Sequence, residues 1–445
     1  MRATETAPPR FSAPAGEIVG WRDAGVVRAT GIRYARAGRY EAPVAEPPAD
    51  LIDATSWSPA CPQVGSPLLD RMFPAGFGGH TLDEHCQRLS VTVPEGLDVG
   101  ADSDLPVMVF VHGGSYVSGS GDVEVHDPAT LVREQRVIVV SVTYRLGLFG
   151  FLGGTPQRPA NLGLLDMIEA LRWVRRNIHA FGGDPDNVTA FGESAGADAV
   201  LHLMAAEEAR GLFGRAIVQS APLGITRGRA EMTAAMVEEA AGIPHDLAAE
   251  EVNGHYRRVN DRARPFGLRA AMPFGVQYGH APVPAEDDLD AAWAAVAPDV
   301  DVLIGTNSRE TSFFVSEVPA VDRVARLPIV GRILVEPLVR ALSWRIYGRD
   351  AARFLRRHRA AGGRGARYSL SWGPRGNRLA GAHTVDLALL FPNRAGWAGS
   401  PIIDGATWAE VEEAGRPVRR VWAEFARTGR VVDPGCGHLR LDSSG

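Results

Sequence analysis

Apolar residues fall into short unbroken runs along the first two thirds of the chain. Val107–His112 (VMVFVH), Val137–Val142 (VIVVSV), Val188–Gly192 (VTAFG), Ala216–Ser220 (AIVQS) and Val302–Gly305 (VLIG) are several of them, and most are rich in valine and isoleucine. Runs of this length with little polar alternation suit strands covered on both faces. Between them the period changes. Leu164, Ile168, Leu171 and Ile178 recur at steps of four, three and seven along Gly163–Ala180, which is one face of a helix. The FGGDPDN that follows ends that helix with glycines and a proline. Strands alternating with helices predict an α/β fold with a mostly parallel central sheet and helices on both faces. No internal repeat or long low-complexity linker interrupts the pattern, so the 445 residues read as one large domain.

One segment reads differently. In Arg323–Gly348 (RVARLPIVGRILVEPLVRALSWRIYG), Val330, Leu334, Leu338 and Leu342 stand four apart, and Pro337 would kink the helix that carries them. The plain reading is a packed helix pair. The sharper one is a mobile cap over an active site or a membrane-surface patch. The arginine-rich stretch Arg353–Arg367 reads as a solvated helix end and loop.

Composition narrows the chemistry. The chain is 45% hydrophobic and 22% charged, ordinary for a globular protein with a sizeable core, and its formal net charge of −5 gives no pull toward nucleic acid. All 47 basic residues are arginine. Arginine stays protonated, so Schiff-base chemistry, Ser–Lys dyads and the lysine-bearing phosphate loop are excluded. Cys61, Cys86 and Cys436 are too few for a disulfide scaffold. The amino-terminal MRATETAPPRFSAPAGE has no apolar leader core, and no run of about 18 apolar residues suggests a transmembrane segment. The expectation is a cytoplasmic protein, monomeric or weakly homo-oligomeric, with no nucleic-acid partner, metal or cofactor.

The candidate chemistry starts at Phe191–Ala197 (FGESAGA). A serine hydroxyl needs a base, a group that orients the base, and donors for the developing oxyanion. Gly-x-Ser-x-Gly between a strand and a helix supplies a strained turn that exposes the serine, here Ser194, with VTAFG before it and a helical AGADAVLHLMAA after it. A second small-residue loop, His112–Gly121 (HGGSYVSGSG), follows the strand VMVFV, and its backbone N–H groups can point into a cavity. The N–H groups of Gly114, Ser115 and Ala195 are the candidate oxyanion donors.

These motifs, with the continuous stretch NLGLLDMIEALRWVRRNIHAFGGDPDNVTAFGESAGA from Asn161 to Ala197, resemble the type-B carboxylesterases, the cholinesterase-like branch of the α/β-hydrolases. GIRYARAGRYEAP near residue 31 and DEHCQRLSVTVP extend the likeness more weakly. Segments 226–296 and 319–378 match poorly and read as divergent, cap-like inserts. The resemblance implies an α/β-hydrolase fold over 1–445 and a serine esterase similar to para-nitrobenzyl esterases.

Seven histidines follow Ser194, namely His202, His245, His255, His280, His358, His383 and His438. The hydrolase order of serine, acid, histidine leaves all seven open. His202 should face away on the helix after Ser194, and His438 sits near the terminus. The resemblance selects among them. VLIGTNSRETSFF matches the family's acid motif at Glu310, and AHTVDLALLF matches its histidine at His383. Glu193 and Ser220 resemble positions close behind the triad. Ser115 stands where a glycine is common, Arg309 where an acidic or polar residue is usual, and Thr384 where a glycine follows the histidine. Cys61 and Cys86 resemble a pair that is bridged in secreted relatives, and without a leader they are expected to be reduced. The implied activity is hydrolysis of small or aromatic carboxylic esters through an acyl-enzyme. An amidase, carbamate hydrolase or thioesterase would use the same groups. A non-catalytic cholinesterase-like binding protein would normally lack one of them.

Overall fold

Ten strands join in one sheet: β1 Trp21–Asp23, β2 Val26–Arg33, β3 Arg88–Pro94, β4 Leu105–Val111, β5 Ile138–Thr143, β6 Gly183–Glu193, β7 Arg215–Gln219, β8 Asp301–Asn307, β9 Gly365–Leu370 and β10 Leu439–Asp442. The structure is a computed structural model that describes residues 7–75, 80–97 and 104–442, apart from the side chains of Pro328 and Arg332. The part of the leader reading that rests on residues 1–6 lies outside the described residues. Across the sheet the order is β10-β9-β8-β7-β6-β4-β5-β3-β2-β1. All neighbours from β9 to β5 are parallel. Antiparallel strands close both flanks. Strands drawn from early and late in the chain share this sheet.

The apolar runs explain why the parallel strands sit in the middle. Every residue of β5 is buried. Along β4, Val107, Val109 and Val111 enter one core layer while Met108 and Phe110 enter the other. A strand with two buried faces has no polar alternation to show.

The helices that matter for the site are α1 Leu162–Asn177, α2 Ala195–Ala205, α3 Leu289–Val296, α4 Pro328–Ser343, α5 Arg349–Ala360, α6 Val385–Leu390 and α7 Trp408–Thr428. On α1 the periodic Leu164, Ile168 and Leu171 are buried as read from their spacing, and so is Asp166. Asp166 accepts from Arg145 Nε at 2.8 Å, Nη2 at 2.7 Å and the Arg145 backbone N–H at 3.1 Å. Arg145 is itself only 3% exposed, so a buried ion pair fastens the loop after β5 to α1. The GDPDN after α1 is part of β6, where the pairing with β4 breaks register between Gly183 and Val188.

Arg353–Arg367 begins as the solvated helix end and loop it reads as, with Arg353, Arg356 and Arg357 exposed on α5 and a turn at 361–362, but its last three residues, Gly365–Arg367, enter β9, a member of the sheet. On α4, Val330, Leu334 and Leu338 face outward at 41%, 61% and 45% exposure. The inward row is Gly331, Val335, Val339 and Ser343. It packs where Thr311 Oγ1 donates to the Val339 carbonyl at 2.9 Å and the Thr311 N–H to Ser343 Oγ at 3.1 Å. The helix carries two apolar rows, and the row with the small and β-branched residues approaches the backbone of Glu310–Glu317. Pro337 is exposed, and α4 continues through it. The carbonyl its ring leaves unpaired is on the solvent side, where water can serve it.

Cys61 and Cys86 are buried free thiols. The Leu146 N–H donates to Cys61 Sγ at 3.2 Å, and burial pushes the Cys86 thiol well up. Among the described residues no helix is long and apolar enough to cross a membrane, and no group of three or more His, Cys, Asp or Glu side chains could hold a metal.

Candidate active site

Ser194 sits between the end of β6 and the first residue of α2 with φ 57° and ψ −123°, a backbone state that non-glycine residues rarely hold. Its N–H donates to the Gln219 carbonyl of β7 at 2.8 Å, which ties the turn to the neighbouring strand. The flanking glycines are steric requirements. A Cβ on Gly196 would lie 2.0 Å from the Val111 carbonyl oxygen, and one on Gly192 would lie 2.6 Å from the Gly196 carbonyl carbon. Helix and strand can meet this closely only without side chains there. The side chain of Ser194 therefore projects into the cavity, and the residue is 9% exposed.

The loop after β4 approaches from the other side. Gly114 has φ 107°, and a Cβ there would lie 2.0 Å from the Ser118 carbonyl oxygen. Ser115 and Tyr116 follow at φ 56° and 62°, so the serine that replaces a glycine takes the left-handed backbone state. Tyr116 Oη donates to Asp198 Oδ2 at 2.7 Å, which locks this loop onto α2. The N–H groups of Gly114 and Ser115 have no hydrogen-bond partner among the described residues, and that of Ala195 is an orphan donor in the first turn of α2.

Glu310 begins a 3₁₀ segment directly after β8 and is fully buried. Three donors hold its carboxylate: His383 Nδ1 at 2.6 Å, Ser220 Oγ at 2.6 Å and the Asn307 N–H at 2.6 Å. Burial raises its pKa against the lowering effect of the His383 and Ser220 hydrogen bonds. His383 is 3% exposed, and its other nitrogen, Nε2, lies 3.1 Å from Glu193 Oε1. Burial pushes the Glu193 carboxyl up to about 8, with the His383 charge opposing that rise. Burial lowers the imidazole, but the Glu193 charge and the Glu310 hydrogen bond outweigh it and push His383 up to about 9. The His383 charge bears on both carboxyls, and both carboxylates bear on the imidazole. Ser194 Oγ has no hydrogen-bond partner among the described residues. It and His383 line the same cavity of about 100 Å³, together with Gly114, Ser115 and Glu193.

The structure thus brings together all eight residues singled out in the sequence: Ser194, Glu310, His383, Gly114, Ser115, Ala195, Glu193 and Ser220. His202 faces away, with Nδ1 on the Asp198 carbonyl and Nε2 on Tyr278 Oη. Several participants carried no motif. Asp386, one turn beyond His383, accepts from Gln219 Nε2 at 2.6 Å and Asn307 Nδ2 at 2.9 Å. Phe313, Phe314 and Tyr347 place their rings 5.8, 5.6 and 5.2 Å from the His383 ring. Leu68, Leu69 and Phe73 supply the opposite apolar wall. Only the aromatic pair in RETSFF was visible in the sequence.

A family model described as the carboxylesterase family matches residues 9–326. The chain is 35% identical to a probable N-octanoylanthranilate hydrolase of Rhodococcus erythropolis, over 91% of this chain and 89% of that one. It is 32% identical to the para-nitrobenzyl esterase of Bacillus subtilis, over 93% and 88%. Among solved structures, a thermophilic pNB esterase superposes with a TM-score of 0.78 at 28% identity, over 97% of this chain and 93% of that one.

Proposed function

The chain belongs to the carboxylesterase family, and from that premise we propose that it hydrolyses carboxylic esters through Ser194, His383 and Glu310 by way of an acyl-enzyme. The observation that carries this reading is the buried His383 Nδ1–Glu310 contact of 2.6 Å beside the strained Ser194 turn. Ser194 Oγ attacks the ester carbonyl as His383 Nε2 takes its proton. The carbonyl oxygen becomes the oxyanion and is received by the N–H groups of Gly114, Ser115 and Ala195. The tetrahedral intermediate collapses, the carbon–oxygen bond to the alcohol breaks, and His383 gives the alcohol its proton. Water then repeats the sequence on the acyl-enzyme and releases the acid. Glu310 stays ionised, fixes the imidazole tautomer and stabilises the imidazolium, with Ser220 and the Asn307 N–H holding it in place.

The cavity of about 100 Å³ is well below the ~300–1,000 Å³ of ordinary small-molecule sites, which favours a compact acyl group. Amide hydrolysis is a second reading, because the Rhodococcus relative is named for an N-acylated substrate. The free buried thiols of Cys61 and Cys86 suit a reducing compartment, and we place the protein in the cytoplasm on that basis.

Ser194→Ala should lower kcat on p-nitrophenyl acetate by about 10⁴-fold or more while the folded state persists by circular dichroism. A fluorophosphonate probe should label Ser194 alone. Retained turnover in a folded Ser194→Ala protein, or labelling at another serine, would sink the mechanism. A matched panel of acetate, butyrate and octanoate esters and the corresponding anilides separates the two substrate readings.

A further inference from the structure

Away from the reaction cavity, the outer flank carries an unusual row of charge. Arg345, in the π turn Trp344–Gly348, is followed at steps of four by Arg349, Arg353 and Arg357 on α5. All four line one cleft of about 360 Å³. Arg227 and Arg269 enter it from the opposite wall, and Leu223, Trp293 and Phe354 contribute apolar surface. Like charges four apart on a helix repel one another, so this arrangement is disfavoured unless something neutralises it.

The acids in the cleft are already engaged. Asp290 holds Arg227 at 2.6 Å and also pairs with Arg357. Asp350 holds Arg349 at 2.7 Å. Glu286 accepts from the Gly228 N–H at 2.8 Å. Six arginines therefore face three carboxylates in a chain whose overall charge is negative. The guanidinium groups of Arg345 and Arg353 have no partner among the described residues, and both side chains are exposed. The Trp293 ring lies at the cleft with the Arg227 guanidinium 5.3 Å from its centroid, while its Nε1–H is taken by the Leu201 carbonyl at 2.7 Å. With Phe354 packed on it at 5.1 Å and the residue only 9% exposed, Trp293 leaves the cleft a narrow apolar strip beside Leu223.

We propose that this cleft binds a small organic anion, a carboxylate carried on an apolar body, with Arg345 and Arg353 gripping the carboxylate. A guanidinium matches a carboxylate with two parallel N–H donors, and the cleft volume falls in the range of small-molecule sites. The apolar surface at Leu223, Trp293 and Phe354 selects against a bare inorganic anion. Carboxylic acids of this class are what ester hydrolysis releases. The π turn joins the two sites: Arg345 lines the cleft, the Ile346 carbonyl accepts from the Gly224 N–H at 2.8 Å, and Tyr347 packs on the His383 ring. A ligand held by Arg345 bears on the turn that touches the histidine.

The test reads binding alone and does not depend on Ser194 being a nucleophile. Titrating 4-phenylbutyrate into full-length Ser194→Ala protein by calorimetry should give one saturable site. Arg345→Ala and Arg353→Ala should each weaken it at least tenfold, with melting temperatures unchanged because neither guanidinium has a partner to lose. Arg353→Glu should abolish it. 4-Phenylbutylamine and inorganic phosphate should not compete. Binding that survives both arginine substitutions would belong to the reaction cavity and overturn the proposal. So would the absence of binding, or displacement by phosphate at equal concentration.

Discussion

Along β4 to β8 the side chains suit their positions: valine, isoleucine and phenylalanine in extended backbone, buried on both faces. In the loops beyond these strands the backbone changes character. Ser115, Tyr116, Ser194, Ser220 and Thr384 all hold positive φ between 55° and 69°. Each such residue costs about 1–2 kcal/mol relative to ordinary backbone. Four of them line the cavity or contact the buried acid directly, and Tyr116 locks the oxyanion loop to α2. The contrast teaches where strain is tolerated: a relaxed, over-determined sheet holds a rim that could not hold itself.

The largest expected effect tests the sheet side. Asp166→Ala leaves Arg145 buried without its counter-charge, which should cost about 3–5 kcal/mol. Urea unfolding reads this as a lower midpoint, while kcat of the protein that remains folded should change little. A loss under about 1 kcal/mol would show that the α1 clamp is dispensable and that the rim is supported some other way.

A smaller effect belongs to the site. His383 must be neutral to accept the Ser194 proton, so kcat/KM should climb with pH toward a limb set by its raised pKa of about 9. The Glu193 charge contributes to that rise. Glu193→Gln removes the charge, so the limb should move to lower pH by about one unit, equivalent to ~1.4 kcal/mol. A pH–rate profile on an activated ester measures it, and an unmoved limb would mean that Glu193 is already protonated in the free enzyme.

The smallest effect tests the strain itself. Thr384 is β-branched, at φ 69°, with a buried Oγ1 that lacks a partner. Thr384→Gly should raise stability by about 1 kcal/mol, since glycine adopts this backbone freely. Ser115→Gly should gain less, because the wider φ range of glycine in the unfolded chain offsets more of a smaller strain. Thermal melting ranks the two, and a loss of stability at both positions would break the claim that the rim is strained.

How much of this was legible depended on where the information sits. The five apolar runs named five of the six parallel strands because burial on both faces is written directly into their composition; β9 (GARYSL) alternates buried and less buried positions and gave no such run. Ser194 was legible because Gly192 and Gly196 are forced by contact. Glu310 and His383 needed family likeness, since a lone carboxylate and one histidine among seven carry no local signal. Asp386, Asn307 and Gln219 left none at all, as their roles exist only once β7, β8 and α6 meet. On α4 the fourfold spacing of Val330, Leu334 and Leu338 was real but left open whether that row packs inward or faces outward: periodicity identifies rows and does not say which row meets the core.

The order of assembly follows from where these pieces lie along the chain. Synthesis runs from the amino end, so the serine turn and oxyanion loop are made long before Glu310 and His383. One core layer is closed by α6, α7 and Trp422, all drawn from the last quarter of the sequence, and β10 pairs with β9 later still. Until they emerge, a nascent chain carries a bare sheet face and an open strand edge, the features that invite misassociation. On the proposed mechanism the base, His383, is made just ahead of α6 and well ahead of α7 and β10. All three catalytic groups are therefore synthesised while part of that face is still open, and it is the last quarter of the chain that closes it.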